Sequence, residues 1–276
     1  MQNTHPLPAG LARHPATISI NVDIEAVDAL GAGEAGLFGK FSYGRYGLRE
    51  GLPRLLALLR QTGIRATFFV VPADALRHPR MLEALAADGH EIAVQTSIWL
   101  PAHPTEGSED LDSLAQACET LRGLTGQAPL GWRAANGIVT TGALRRLAEL
   151  GMTYDSSFLD DDLPYVMGEG AARLVELPVF DYLNDSIFYG GRHPTDRVAK
   201  VWQEETTAML EAGAYLHLVL HSRGDVGTAR EIRVDVLARW LERTAALPGV
   251  AFYRCCDLAR IWLEGTPAEA VEAFAS

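Results

Sequence analysis

The stretch RATFFVVPADALRHPRMLEALAADGHEIAVQT, residues 65–96, decides the fold. Its first part, RATFFVVPA (65–73), reads as a buried strand. PRMLEALAADG (79–89) places apolar residues at helical spacing and ends on glycine, and HEIAVQT (90–96) turns apolar again. A run without polar alternation belongs to a strand covered on both faces. Strand, helix and strand in so short a compass form a crossover unit, so the two strands run parallel.

The same alternation continues outward in both directions. Before it come the strand ATISINVDI (16–24) and the helix GLPRLLALLRQTG (51–63). After it come a helix over 108–125, the strand PLGWRAAN (129–136), the helix TGALRRLAELG (141–151) and the strands MTYDSSF (152–158) and RLVELPVFDY (173–182). A helix over 195–212, the strand AYLHLVLHS (214–222), a helix over 229–246, the strand VAFYRC (250–255) and a last helix over 256–264 complete the series. About seven such units without a linker read as one α/β domain, a β/α barrel over 17–264, with a lead-in at 1–16 and a tail at 265–276. No glycine-rich fingerprint follows the first strand, so a dinucleotide-binding sheet has no support.

Composition narrows the function. Lysine and arginine number 24 against 35 acidic residues, a net charge of -11. That balance argues against nucleic acid and anionic membrane surfaces and favours a small-molecule substrate. No apolar run reaches the ~18 residues of a membrane span, and the first residues lack a signal-peptide core. The three cysteines, Cys118, Cys255 and Cys256, form no CxxC pattern. A cytoplasmic protein is the expectation.

In a barrel the chemistry sits where strands end. Those ends carry Asp23 and Glu25, then Gln95, then Trp132 and Arg133, then Asp160 to Asp162, then Asp181, Asn184 and Asp185, and finally His221 and Arg223. His217 and His221 share a strand face; His217 reads as a hydrogen-bonded core histidine and His221, at the mouth, as the acid–base candidate.

These residues resemble the polysaccharide deacetylase, or NodB-like, superfamily, over about 17–262. The motifs are NVDIEA (21–26), YGLREGLPRLLALLRQTGIRATFFV (46–70), GHEIA (89–93), GWRAANG (131–137), YDSSFLDDDLPY (154–165), LVELPVFDYLND (174–185) and LHLVLHSR (216–223). The resemblance implies a distorted (β/α)7 barrel, the NodB-homology fold. It implies Asp23 as catalytic base, Arg133 as the residue that holds it, and His221 as the acid that protonates the departing nitrogen. The departure lies in the second motif, where the two metal-binding histidines are replaced by Gln95 and Trp99. An amide is a poor donor to a first-row metal and an indole N–H none at all.

The Asn184-Asp185 pair, the DDLP segment beginning at Asp161 and the YG-x-R-x-G element at Tyr46 to Gly51 resemble the branch that includes metal-independent allantoinases and cyclic imide hydrolases. That branch implies a hydrolase opening cyclic amide, imide or ureide rings with no metal cofactor, and a homo-oligomer. Glu25, Gln95, Trp99, Trp132, Asp161, Asn184, Asp185 and Arg223 are then candidates for substrate contact; Trp99, Trp132 and Tyr165 either wall a flat ring or pack the rim. Two other readings stay open. One is a metal-dependent N-deacetylase or deformylase holding zinc or a similar ion through Asp23, Glu25 and His103. The other is a non-catalytic or repurposed barrel in a biosynthetic pathway.

Overall fold

The computed structural model describes residues 7–33, 36–96, 111–135, 137–169, 171–267, 271 and 273–274. Its strands are β1 (His14–Val22), β2 (Thr67–Val70), β3 (Glu91–Thr96), β4 (Gly131–Ala134), β5 (Tyr154–Asp155), β6 (Tyr165–Glu169), β7 (Ala172–Glu176), β8 (Leu216–His221) and β9 (Val250–Tyr253). The helices are α1 (Glu25–Ala32), α2 (Tyr43–Tyr46), α3 (Leu52–Thr62), α4 (Pro72–Arg77), α5 (Pro79–Ala87), α6 (Leu111–Thr125), α7 (Thr141–Glu149), α8 (Asp185–Gly190), α9 (Thr195–Ala212), α10 (Glu231–Ala245) and α11 (Cys255–Gly265). None of the described helices is long and apolar enough to cross a membrane.

The ladder runs β6-β7-β5-β4-β3-β2-β1-β8, with β9 also paired to β1. The expected crossover is present: β2 and β3 pair in parallel from Thr67↔Glu91 to Val70↔Val94. Strand β1 is central, bonded to β8 over Ala16–Asn21 and sharing its other edge between β9 and β2. The sheet curls without closing. Between β7 and β8 the seam is carried by an isolated bridge, Asn184↔Val219, and by the Pro178 carbonyl, which accepts from Tyr215 and His217. This is a distorted, incompletely closed barrel.

Strands β1, β2 and β8 are buried along almost their whole length, as unbroken apolar runs require. Helices α3 and α9 both end on a glycine in the left-handed region, Gly63 (φ 69°) and Gly213 (φ 80°), where other residues are strained.

Several details depart from expectation. Strand β6 runs antiparallel to β7 as a hairpin, and its sequence YVMGE carries no strong alternation to announce it. The expected strand at 152–158 shortens to two residues, and past it the Ser157 N–H turns to Glu176 Oε1 instead of a neighbouring strand. The lead-in is not separate: β1 begins at His14, and Leu7 and Leu11 pack on a buried cluster that includes Tyr154, Tyr215, Leu258 and Trp262. From the tail, Phe274 is buried in the main core.

Candidate active site

Alternation along β1 turns Ser19, Asn21 and Asp23 to one side, the side onto which β8 delivers His217 and His221. Asp23 lies 4.0 Å from His221, Oδ2 to Nε2. The Gln95 side chain hydrogen-bonds to Asp23 from the end of β3. Burial raises the Asp23 carboxyl above its usual range; His221, Arg223, the Gln95 bond and Arg133 pull the other way without offsetting it. An ionised carboxylate only accepts, so Gln95 presents its NH₂ to Asp23. Its Oε1 is then left buried with no partner among the described residues. A buried acceptor in that state costs ~1–3 kcal/mol until something donates to it.

His221 is held from both ends. Its Nδ1 lies 2.7 Å from Asp185 Oδ1, and Asp185 Oδ2 accepts from the backbone N–H groups of His221 (3.0 Å) and Thr228 (2.7 Å). Its Nε2 lies 2.9 Å from Asn21 Nδ2. Burial alone lowers the His221 pKa, but Asp185 and then Asp23 outweigh it and the net shift is upward. The tautomer follows from donor logic. Arg133 Nη1 donates to Asn21 Oδ1 at 3.0 Å, and a guanidinium has no acceptor, so Asn21 must turn its NH₂ toward His221. In the neutral ring Nδ1 therefore carries the proton.

Arg133 does not hold Asp23, contrary to expectation. Its Nε donates to the Ser156 carbonyl, Nη1 to Ser19 Oγ and Asn21 Oδ1, and Nη2 to Ser156 Oγ and His217 Nε2. These five acceptors use all five donors, and the guanidinium lies 4.0 Å over the Phe69 ring. It is a buried cation bonded entirely to neutral groups, and burial depresses its pKa.

Other candidates separate. Glu25 turns away from Asp23: it pairs with His78 Nε2 at 3.0 Å and Arg45 Nε at 3.3 Å. Trp132 is a core residue whose indole donates to Thr96 Oγ1, so it does not wall a pocket. Asn184 caps α8 by accepting from Ser186 N, which occupies it structurally and leaves Asp185 as the functional member of the pair. Asp161 is exposed and accepts from Leu163 N; the next residue, Asp162, bonds to Tyr215 N, at the far end of β8 from His221. Arg223 is clamped by Asp28 at 2.8 Å and by Asp225 at 3.0 Å. Trp99 and His103 lie outside the described residues.

One contributor carried no motif signal. Asp74, in the first turn of α4, is fully buried and accepts from Ile24 N (3.0 Å) and Ala26 N (2.8 Å), fixing the loop that carries Asp23. The glycines of the YG-x-R-x-G element allow close approach: a Cβ at Gly51 would run into the Ser222 carbonyl, next to His221.

A divalent ion does not fit the donors described. No three His, Cys, Asp or Glu side chains converge among the described residues, Glu25 is committed elsewhere, and Gln95 points its NH₂ at Asp23.

Residues 41–154 match the Polysaccharide deacetylase family. A peptidoglycan deacetylase-like protein of Gibberella zeae is 26% identical over 237 residues, 80% of this chain and 68% of its own length. The chain spans 46% and 53% of two further curated relatives. Among solved structures, a protein assigned to the polysaccharide deacetylases from Mycobacterium smegmatis is 28% identical, with a TM-score of 0.81 and 96% of each chain covered. An allantoinase, Puue, is 24% identical, with a TM-score of 0.79 over 96% of each chain, a likeness of fold.

Proposed function

We propose that the protein, whose residues 41–154 match the polysaccharide deacetylase family, is a hydrolase of non-peptide C–N bonds acting on a cyclic amide, imide or ureide. The observation that carries this reading is Gln95. Where a metal-binding enzyme of this type would place a ligand, a buried amide donates to Asp23 and leaves Oε1 open as an acceptor. A ring N–H next to a carbonyl, the common feature of imides and ureides, satisfies that acceptor.

Asp23, made more basic by burial, accepts a proton from water while the hydroxyl adds to the ring carbonyl carbon. His221, drawn toward the charged form by Asp185, gives up its Nε2 proton to the departing nitrogen as the C–N bond breaks, and the neutral ring that remains accepts from Asn21 at Nε2. Asp23 and His221 are 4.0 Å apart, close enough for the accepted proton to replace the delivered one. The products are a carboxylate and an amine or amide nitrogen. Without a Lewis acid, an imide or ureide is the easier substrate because its nitrogen leaves more readily than that of a simple acetamide.

A screen of hydantoins, succinimides, allantoin and N-acetyl sugars, with and without chelator, tests the reading. The expected result is ring opening that survives the chelator. Turnover confined to N-acetyl sugars and abolished by chelator would overturn it.

A further inference from the structure

A cavity of about 650 Å³ is lined by Arg192, Arg223, Arg230 and Arg233, together with Tyr189 and His193. In a chain of net charge -11 this convergence of cations is local and stands against the overall balance. The carboxylates at the cavity, Asp28 and Asp225, are both engaged by Arg223. Arg223 is itself 8% exposed, and its Nη1 has no partner among the described residues; nor has the hydroxyl of Tyr189, 3% exposed.

The other arginines are anchored through part of each guanidinium. Arg230 donates from Nε to the Gly224 carbonyl at 2.6 Å and stacks 4.8 Å over Tyr46. Arg233 donates from Nη1 to the carbonyls of Asp225 and Gly227 and lies 4.2 Å over Tyr189. Both are oriented, with further N–H groups beyond those bonds. Arg192 is exposed at the cavity, on a backbone of φ 58°. Oriented guanidinium forks are the group best matched to a planar oxyanion.

The cavity is tied to the reaction centre through residues of its lining. Arg223 follows His221 closely in the chain and its charge acts on Asp23, and α8 carries both Asp185 and Tyr189. We propose that this cavity binds a carboxylate borne by the substrate, so that the ring opened by Asp23 and His221 belongs to an acidic molecule and not to a neutral sugar. The proposal rests on the hydrolase reading for its substrate and on the cavity alone for its anion. A carboxylate is favoured over a phosphate because Asp28 and Asp225 stand close by, and their repulsion doubles against a dianion.

The test has two arms. In the first, thermal unfolding of the full chain is followed with succinate, with inorganic phosphate and with sodium chloride at matched ionic strength, for the wild type, Arg192→Gln and Arg230→Gln. The expected result is a rise in Tm with succinate beyond that with chloride, reduced in both variants. No excess over chloride, an excess unchanged in both variants, or a response to phosphate without one to succinate would each overturn the proposal. In the second arm, ring opening is compared for one hydantoin with and without a carboxylate side chain. Wild type should favour the acid, and the ratio of kcat/KM, acid over neutral, should fall roughly tenfold or more in the variants. Succinate binding with no turnover of either hydantoin would sink the hydrolase reading and leave the anion site standing; turnover with no preference for the acid would do the reverse.

Discussion

His217 and His221 lie on the same strand and the same face, yet their surroundings make them opposite kinds of residue. Around His217 stand the Pro178 carbonyl, the Ser19 hydroxyl and the Arg133 guanidinium. Burial and then Arg133 hold its pKa well below the ordinary histidine value, so the ring stays neutral. Around His221 stand Asp185, Asp23 and Asn21, and the carboxylates turn the shift upward. Burial is common to both; the difference is whether the neighbouring strands and loops deliver a cation or an anion.

The largest expected effect comes from removing that anion. In Asp185→Asn burial is opposed by Asp23 alone and His221 should become more like His217, its pKa falling; turnover of the substrate found in the screen should drop by ~10²–10⁴. A histidine ring NMR titration with the pH dependence of kcat checks both, and an unchanged His221 titration would separate Asp185 from the acid–base role. Next is Arg133→Met, which strips donors from Ser19, Asn21, Ser156 and His217 at once. With ~1–3 kcal/mol for each buried polar group left unpaired, a loss of about 3 kcal/mol or more is expected in urea unfolding.

Asn21→Asp sharpens the contrast from the other side. The new carboxylate can accept from both Arg133 and His221, so ¹⁵N spectra should show a proton on His221 Nε2 where the wild-type neutral ring carries it on Nδ1. A wild-type ring already protonated at Nε2 alone would refute the donor chain from Arg133.

A pH effect follows from the buried pair Asp155 and Glu176, outside both histidine sites. Burial raises Asp155 from 3.8 to about 6, and burial with Asp155 beside it lifts Glu176 well above its ordinary value. A carboxyl whose pKa is raised by folding binds more protons in the native state, so its contribution is full at low pH and is lost as pH rises. Stability should therefore decline between about pH 3.8 and 6 on account of Asp155, and Asp155→Asn should flatten that decline in denaturant midpoints measured across the range. The smallest effect is at Glu25, an outlying pair with His78 and Arg45: Glu25→Gln should cost about 0–1 kcal/mol by the same unfolding measurement. A rate loss as large as that of Asp185→Asn would return Glu25 to the reaction centre.

Much of the fold was legible because its signals are local. Unbroken apolar runs such as TFFV, helical spacing in LPRLLALLRQT and terminal glycines are written in neighbouring residues. The hairpin of β6 was not legible, because its partner β7, not its own pattern, makes it a strand. In the site, Asp23, His221, Asp185 and Gln95 were found by position at strand ends and by resemblance. Asn21, Asp28 and Asp74 were not, since a buried polar residue is informative only once its partners are known.

By itself, then, the sequence determined the alternating α/β framework and the excess of acidic residues, both of which depend on residue type and spacing along the chain. Only the tertiary structure decided that Arg133 serves Asn21 and His217 and not Asp23, that Glu25 pairs with His78 and Arg45, and that Asp185 drives His221. Those outcomes depend on which donor meets which acceptor across strands distant in sequence, and hydrogen-bond direction and local charge are properties of the packed neighbourhood.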